Sequence, residues 1–255
     1  MGAYFSMPLE DKDPVFVSLG TLGARMTDTA AARPEGVGCC VLAGSDFPNS
    51  VEQAIMSWGI TVTIIRDPSR LSTRGLLKYS GDGFKVYISG QPSWWDVYSP
   101  NHIEFLATFG SGDGDGPPAE FDRKKIEEQA LRVLESGVGR NGDGAIVIRC
   151  GEYGCMVAAR SYSTRWFPAF HGSSRVLCAT GAGNAFLGGF AVTLSTTSDL
   201  TEATIAGVVA ASFVIEQVGL PYRTTSRHGK EMWNGEAFSV RVDRFRTVLE
   251  TPANE

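Results

Sequence analysis

The residues that most clearly suggest chemistry form the run Cys178-Ala-Thr-Gly-Ala-Gly-Asn-Ala-Phe-Leu-Gly-Gly-Phe190, a glycine-rich turn followed by apolar residues. This pattern predicts a helix that begins at the turn, and Gly181 and Gly183 can adopt backbone angles closed to other residues. The N–H groups of Ala182, Gly183 and Asn184 are then expected to point outward at the helix N-terminus, where the helix dipole is positive. Such a site stabilises negative charge, and phosphate in particular. The alternative is an ordinary helix start whose glycines serve close packing.

A second candidate pair is Asn101 and Glu104, which are separated by three positions. On a helix, residues at this spacing lie on one face, so the amide and the carboxylate can jointly orient water bound to a metal ion. Oxygen ligands of this kind suit Mg²⁺. The alternative is a helix N-cap followed by a surface glutamate.

The elements upstream of these motifs follow a strand, helix, strand order. Apolar runs predict buried strands, a polar residue followed by apolar periodicity predicts a capped helix, and a glycine ends it. This order is typical of a parallel sheet with crossover helices. The predicted segments are strands at 14–20 and 37–44, a helix from Asn49 or Ser50 to Trp58 with Gly59 as its stop, and a strand at 60–65.

The second half of the chain predicts further helices and one hairpin. A helix over 121–136 has Ile126, Ala130, Val133 and Leu134 on one face and Gly137 as its stop. The strand 145–149 is expected to pair with residues 154–160. The other predicted segments are a short helix near 101, a solvated linker at 111–118, a helix at 202–218 that buries Val218 and is capped by Gly219, and a short element at 238–249.

Composition excludes several other classes of function. The 255 residues are 43% hydrophobic and 20% charged, with a formal charge of −5, as in a globular protein. Lys and Arg form no dense cluster, which favours a small-molecule ligand over a nucleic acid, and no apolar run predicts a membrane span. Five irregularly spaced cysteines indicate reduced thiols, the N-terminus does not fit a secretory signal, and His171 and His228 lack metal-ligand spacing. These features predict a cytoplasmic protein.

The glycine run and the order of the motifs resemble the ribokinase/PfkB carbohydrate kinases, whose signature is usually Asp-Thr-Thr-Gly-Ala-Gly-Asp. The resemblance implies that Gly181, Ala182 and Gly183 form an anion hole and that Asn184 occupies the position of the catalytic base. Asn184 replaces the usual aspartate, and Cys178 replaces the leading acidic residue. By the same resemblance Asn101, Gly151, Gly154 and Thr180 are nucleotide-binding residues, and Glu104 contacts Mg²⁺ through water. For Gly151 and Gly154 a plain hairpin turn is the alternative.

The resemblance also implies a fold and a domain organisation. The expected fold is a three-layer α/β ribokinase-like sandwich with a mainly parallel central sheet and a reduced or missing lid. The chain is expected to form a single domain over 1–255, with a divergent acceptor and lid half at 14–100, a nucleotide-binding half at 101–220 and a C-terminal tail at 221–255. No Gly-Gly-x-x-x-Asn segment occurs between Gly20 and Val37. The acceptor pocket is therefore expected to be incomplete.

Two functions remain open at this point. The first is a kinase that uses ATP and Mg²⁺ to phosphorylate a hydroxyl of a sugar-like or nucleoside-like small molecule. The second is a catalytically impaired or repurposed protein that binds nucleotide or phosphate, or acts as a scaffold, without kinase activity. The retained glycines favour the first function, whereas the two lost carboxylates favour the second.

Overall fold

The computed structural model describes residues 97–109, 121–139 and 141–251 without a break. Upstream of these it describes residues 3–4, 16–17, 23–27 except 25, and 38–69 except 46, 48 and 57–60. The chain divides into two compact units, one formed by residues 1–75 with 170–255 and the other by residues 76–169. No helix of the described residues is long and apolar enough to cross a bilayer.

The upstream elements confirm the predicted strand, helix, strand order. β1 (Ala3–Tyr4) pairs antiparallel with β2 (Phe16–Val17). β3 (Gly38–Gly44) and β4 (Thr61–Asp67) pair in parallel, and α1 (Asn49–Met56) lies between them in sequence. Two parallel strands require such a crossover, because the chain must return to the end of the sheet where the first strand began before the second strand can start. The predicted helix end at Trp58 and Gly59 lies outside the described residues.

The unit formed by residues 76–169 is built on a four-stranded sheet. Its strands are β5 (Val97–Tyr98), β6 (Ala145–Arg149), β7 (Cys155–Ala159) and β8 (Tyr162–Phe167), in that spatial order. β5 and β6 are parallel, whereas β6 and β7 form the one antiparallel hairpin that the sequence predicts. β7 and β8 form a second antiparallel hairpin, which the sequence did not predict. All five residues of β7, which lies between β6 and β8, are buried.

Two helices complete the core of this unit. α2 (His102–Phe109) buries Phe105, and α3 (Arg123–Ser136) buries its four predicted apolar residues. The carboxylate of Asp122 accepts a hydrogen bond from Lys125 N–H and caps α3, and Gly137 ends the helix at a φ of 97°. The start of α3 is therefore two residues later than the predicted helix, because Asp122 is the first residue whose side chain can cap it. The predicted linker at 111–118 lies outside the described residues.

The C-terminal part of the other unit differs from the prediction. α4 (Ala182–Thr197) and α5 (Leu200–Val214) pack closely, with glycines where the two backbones approach. α5 ends at Val214 rather than at residue 218, and Val218 is 58% exposed instead of buried. The side-chain amide of Gln217 donates hydrogen bonds to the carbonyl oxygens of Phe213 and Val214 and so satisfies the end of the helix.

Residues 223–250 contain two strands and a helix. β9 (Arg223–Thr225) and β10 (Glu231–Trp233) form an antiparallel hairpin that the sequence did not predict. α6 (Phe238–Glu250) confirms the predicted short element and buries Phe238, Arg241 and Phe245. The hairpin escaped prediction because its strands have three residues each, too few to show an alternating pattern.

Candidate functional site

The glycine-rich run forms a left-handed turn at the start of α4, as predicted. We call residues Gly181–Asn184 the phosphate turn. Gly181 is the N-cap of α4 with φ 85° and ψ −9°, the left-handed conformation that favours glycine, and no side chain caps the helix. Gly183 lies inside α4 and is not among the residues with positive φ, so the expectation of unusual backbone angles holds for Gly181 alone.

The hydrogen bonds of the phosphate turn correct the prediction of three outward N–H groups. The N–H of Ala182 donates to the carbonyl oxygen of Ala179 at 3.2 Å, and the N–H of Asn184 donates to that of Gly181 at 3.0 Å. Both bonds arise because the turn closes on itself before the regular helix begins. Among the described residues, the N–H groups of Gly181 and Gly183 have no acceptor. Two donors at the helix start are therefore free for a ligand.

Asn184 supplies no acidic group to the turn. It is half-buried, and its side chain makes no hydrogen bond with another described residue. The first turn of α4 contains no acidic residue at all. Thr180 is exposed, and Cys178 is a half-buried free thiol. The roles given to these residues by the resemblance remain predictions.

Gly23 contacts this helix and was not identified from the sequence. A side-chain carbon at Gly23 would lie 2.0 Å from the carbonyl oxygen of Ala185, the residue after Asn184. The helical residues around Gly23 are buried, with Met26 only 1% exposed. Gly23 therefore packs against the first turn of α4, and it lies in the interval between Gly20 and Val37 that lacks the acceptor segment. The small pair Gly23-Ala24 was the only sequence signal for this contact.

Asn101 and Glu104 form a reciprocal capping box at the start of α2. The side-chain oxygen of Asn101 accepts from the N–H of Glu104 at 2.8 Å, and Oε2 of Glu104 accepts from the N–H of Asn101 at 2.8 Å. Each side chain thus satisfies a backbone donor that the helix leaves unpaired. The helix-cap alternative is correct for the local structure of this pair.

Because Oε2 of Glu104 is used in this cap, a role of Glu104 in magnesium binding depends on its other carboxylate oxygen, Oε1. Oε2 is engaged by Asn101 and lies 3.9 Å from Nη2 of Arg149, whereas Oε1 has no partner among the described residues. No group of three or more potential metal ligands occurs in the described part of the chain. One free carboxylate oxygen fits a contact through metal-bound water, as the resemblance implies, because Mg²⁺ keeps several waters and takes its other ligands from phosphates.

Gly151 and Gly154 have different structural reasons for being glycine. Both have positive φ, 58° and 85°, in the short helical turn that joins β6 to β7. A side-chain carbon at Gly154 would lie 1.9 Å from the carbonyl oxygen of Phe167, so packing against β8 requires glycine there. A side-chain carbon at Gly151 would meet no atom within 4 Å. The hairpin alternative explains Gly154, and a nucleotide-binding role stays a prediction for both glycines.

An aromatic cluster connects the glycine turn of this unit with the start of α2. Tyr153, inside the turn, stacks on Phe121 with ring centroids 3.7 Å apart and planes within 4°. The same Phe121 ring meets His102 at 5.6 Å and Trp166 at 6.2 Å, both edge to face. These contacts hold Glu104 and the Gly151–Gly154 turn on one packed framework. The sequence contains these aromatic residues, but their spacing of 19 to 45 positions gives no local signal.

The cysteines of this unit are not chemically reactive groups. Cys150 and Cys155 are buried free thiols. Burial raises the pKa of Cys150 to about 12, and it raises the pKa of Cys155 as well. A thiol attacks as its thiolate, so neither is a nucleophile near neutral pH.

The predicted site residues are distributed over the two units. Asn101, Glu104, Gly151 and Gly154 belong to residues 76–169, and Thr180, Gly181, Ala182, Gly183 and Asn184 belong to the other unit. Each unit by itself holds one coherent group: a capped carboxylate with a glycine turn, and a helix start with free N–H groups.

Comparison with known proteins identifies relatives of this chain. A profile of the pfkB family carbohydrate kinases matches residues 73–225, more than half of the chain. An uncharacterized protein of Schizosaccharomyces pombe is 30% identical over 168 residues, covering 60% of this chain and 45% of that protein. Protein MAK32 of Saccharomyces cerevisiae is 26% identical over 306 aligned positions, covering 89% of this chain and 82% of MAK32. This chain thus spans less than half the length of its S. pombe relative.

Solved structures share the fold. Ribokinase from Giardia lamblia superposes with a TM-score of 0.61 at 12% identity, over 98% of both chains. Ribokinase from Cryptococcus neoformans, in complex with ADP, gives a TM-score of 0.58 at 14% identity, over 94% of this chain and 93% of the ribokinase. Adenosine kinase from Anopheles gambiae, in complex with P1,P4-di(adenosine-5) tetraphosphate, gives 0.58 at 15% identity, over 81% and 82% of the two chains.

These comparisons and the described elements agree on the fold and the family. The superpositions confirm the predicted ribokinase-like α/β fold. The matched profile spans both glycine turns, the capping box and the hairpin strand β9. This chain therefore belongs to the pfkB family of carbohydrate kinases.

Proposed function

We propose that this protein transfers the terminal phosphoryl group of ATP to a hydroxyl of a sugar-like or nucleoside-like small molecule. The observation that carries this proposal is the phosphate turn, where a left-handed Gly181 leaves two N–H groups without acceptors at the start of a 16-residue helix. Backbone N–H groups in this arrangement bind phosphate oxygens, and the helix dipole adds to their attraction.

The mechanism depends mainly on positioning and on charge stabilisation. Phosphoryl transfer passes through a loose transition state whose charge lies on the phosphoryl oxygens. The N–H groups of Gly181 and Gly183 would donate to these oxygens, and they need no rearrangement to do so. A bound Mg²⁺ would neutralise phosphate charge, and Oε1 of Glu104 is the oxygen available to orient its water.

The choice of ATP as donor is supported by the relatives of known structure. ADP is bound in the Cryptococcus ribokinase, and an adenosine dinucleotide is bound in the Anopheles adenosine kinase. We assign nucleotide binding to Asn101, Gly151, Gly154 and Thr180, the positions that match the family's motifs. Of the two glycines in the turn between β6 and β7, Gly151 is the one with open space around it. This space suits the close approach of a phosphate.

Asn184 decides between this function and a second one. An amide can orient the acceptor hydroxyl, but it cannot take its proton, and loss of a general base typically costs about 10²–10⁴-fold in rate. The absence of any acidic residue in the first turn of α4 favours the second candidate, a protein that binds nucleotide without phosphorylating an acceptor.

Calorimetry with ATP and Mg²⁺, combined with a phosphate-transfer screen over sugars and nucleosides, tests the proposal. We expect wild-type protein to bind ATP and Asn184→Asp to raise turnover by about 10²-fold or more, because a carboxylate can accept the proton. Asn184→Ala is the matched control and should not gain activity. If none of the three proteins binds nucleotide, the phosphate-turn proposal is wrong. If all bind it but neither the wild type nor Asn184→Asp transfers phosphate to any acceptor, the second candidate is correct.

Substitution of Glu104 separates its metal role from its capping role. Glu104→Gln keeps an acceptor for Asn101 N–H, since glutamine also forms capping boxes, but it removes the charge that orients metal-bound water. Glu104→Ala removes both. We expect both variants to weaken the Mg²⁺ dependence of ATP binding, and only Glu104→Ala to lose about 1 kcal/mol of stability through the cap. Unchanged Mg²⁺ dependence in both would show that Glu104 only caps α2.

A further inference from the structure

The loop that precedes the phosphate turn is attached to the end of α5. The N–H groups of Leu177 and Cys178 both donate to the carbonyl oxygen of Ile215, at 2.8 Å and 3.3 Å. Ile215 is the residue after α5, so its carbonyl oxygen has no partner within the helix. Because Cys178 lies three residues before Gly181, this attachment determines where the phosphate turn begins.

The other end of the same loop is attached to the next residue, Glu216. Nε2 of His171 lies 2.7 Å from Oε1 of Glu216, and the His171 side chain is only 6% exposed. The loop 171–178 is therefore held at both ends by two consecutive residues. Neither attachment involves a residue of the phosphate turn itself.

Glu216 is in turn held by the C-terminal residues. Nη2 of Arg241, from α6, lies 2.8 Å from Oε1 of Glu216, and Nδ2 of Asn234 donates to its Oε2 at 2.8 Å. Nε of Arg241 also donates to Oε2 of Glu236 at 2.8 Å. We call His171, Glu216, Asn234, Glu236 and Arg241 the Glu216 cluster. It connects the loop, the end of α5, the β9–β10 hairpin and α6.

The surroundings of the cluster make these contacts strong. The Arg241 side chain is 5% exposed, and its guanidinium lies 3.7 Å from the ring centroid of Phe213. Phe170 meets His171 edge to face at 4.8 Å and stacks on Phe245 of α6 at 5.8 Å. Hydrogen bonds to charged groups in such a water-poor setting contribute more than exposed ones, and a broken one leaves a buried charge without its partner.

We propose that Glu216 is a positioning residue for the phosphate turn: through His171 it fixes the loop 171–178, and through Arg241 it makes the C-terminal helix part of the nucleotide site. This proposal rests on the proposed function, since it assigns the turn to phosphate binding. A family profile match that ends at residue 225 leaves out Asn234, Glu236 and Arg241, so the cluster extends the site beyond the matched region. Residues 221–251 are then needed for ligand binding because they hold Glu216 in place.

The test uses the full chain and three variants. His171→Ala removes the contact between loop and cluster but leaves Glu216 bound to Arg241 and Asn234. His171→Gln is the conservative variant, since its amide can still donate to Glu216. Glu202→Gln is the matched control: Glu202 pairs with Arg246 and so also connects α5 to α6, but this ion pair includes no residue of the loop.

Two measurements are made on each protein. Hydrogen exchange of residues 171–184 without nucleotide reports the order of the loop and turn, and calorimetry with ATP and Mg²⁺ reports affinity. In His171→Ala we expect exchange to be about tenfold faster and affinity to fall about tenfold, as expected for loss of a hydrogen bond to a charged group. His171→Gln should recover most of both, and Glu202→Gln should resemble the wild type.

Each outcome bears on the proposal. Equal exchange of residues 171–184 in His171→Ala and Glu202→Gln would overturn the anchoring of the loop. Faster exchange with unchanged ATP affinity would overturn the positioning role. If wild-type protein binds no nucleotide, the proposed function fails together with the ligand-binding role of Glu216, whereas the exchange comparison still decides whether the cluster orders the turn. If His171→Ala does not fold, comparison of His171→Gln with the wild type decides, because a smaller change of the same sign is expected.

Discussion

At the scale of single residues, Gly181 is the position on which the phosphate turn depends. Its φ of 85° is unfavourable for a residue with a side chain, by about 1–2 kcal/mol. Gly183, two residues later, has no positive φ and lies within α4, where alanine is the better helix former. The two glycines look equivalent in the sequence, but the backbone favours glycine at position 181 and alanine at position 183.

The first prediction compares alanine at these two positions. Gly181→Ala should lower the free energy of unfolding by about 1–2 kcal/mol, because residue 181 must either leave the left-handed region or remain there under backbone strain. Either outcome should weaken ATP binding. Gly183→Ala should retain the turn and leave stability unchanged or slightly higher. Urea denaturation and calorimetry measure the two effects. Equal losses in both variants would contradict the assignment of the turn to Gly181.

At the scale of elements, the turn between β6 and β7 allows a similar comparison. Gly154→Ala would place a carbon 1.9 Å from Phe167 O and force β8 away, so we expect a loss of more than about 3 kcal/mol. Gly151→Ala meets no atom and should lose only about 1–2 kcal/mol from its φ of 58°. Chemical denaturation gives both values. A milder effect at Gly154 than at Gly151 would show that the hairpin does not need glycine for packing.

The same two variants, Gly151→Ala and Gly154→Ala, separate an effect on stability from an effect on nucleotide binding. Because space is open around Gly151, Gly151→Ala is the variant in which ATP affinity can be measured on a folded protein. We expect its affinity to fall if a phosphate approaches the turn closely. An unchanged affinity would remove Gly151 from the nucleotide-binding residues and leave the turn with a structural role only.

At the scale of the whole molecule, two groups of the Glu216 cluster predict loss of stability in acid. Burial lowers the pKa of His171 below its ordinary value, although Glu216 acts in the opposite direction. Burial alone would raise the pKa of Glu216, but hydrogen bonds from Arg241 and Asn234 outweigh it and lower that pKa. The unfolded chain therefore takes up a proton at each group at a higher pH than the folded protein does.

The signs of both shifts agree. The stabilisation from neutral His171 is complete above about pH 6.5 and is lost as the pH falls through the lowered pKa of His171. The stabilisation from ionised Glu216 is lost at lower pH, below about pH 4.5. His102, whose pKa burial also lowers, contributes in the same range as His171. We expect urea denaturation between pH 8 and 5 to show falling stability, with a shallower fall in His171→Gln. An identical pH dependence in the two proteins would contradict the role of His171.

The sequence by itself determined the local elements, because these depend on neighbours within a few positions. The apolar face of α3 and the strand β6 with its hairpin partner both follow from periodicity and turn residues. A short element at 238–249 was also predicted, although its type was not. The glycine run and its order relative to Asn101 and Glu104 were enough to identify the family. The replacement of a carboxylate by Asn184 was also visible, since it needs no structure to be read.

Only the tertiary structure decided which of these residues are free to act. Asn101 and Glu104 cap a helix, and Gly154 is required by a strand, because backbone groups must find partners wherever the chain folds back. The end of α5 was misplaced because Gln217 and the loop 171–178 satisfy its carbonyl groups, and that loop is more than 30 positions away in sequence. The Glu216 cluster joins residues 171 to 241, so no local pattern predicts it: a buried charge acquires its partners only when distant segments exclude water together.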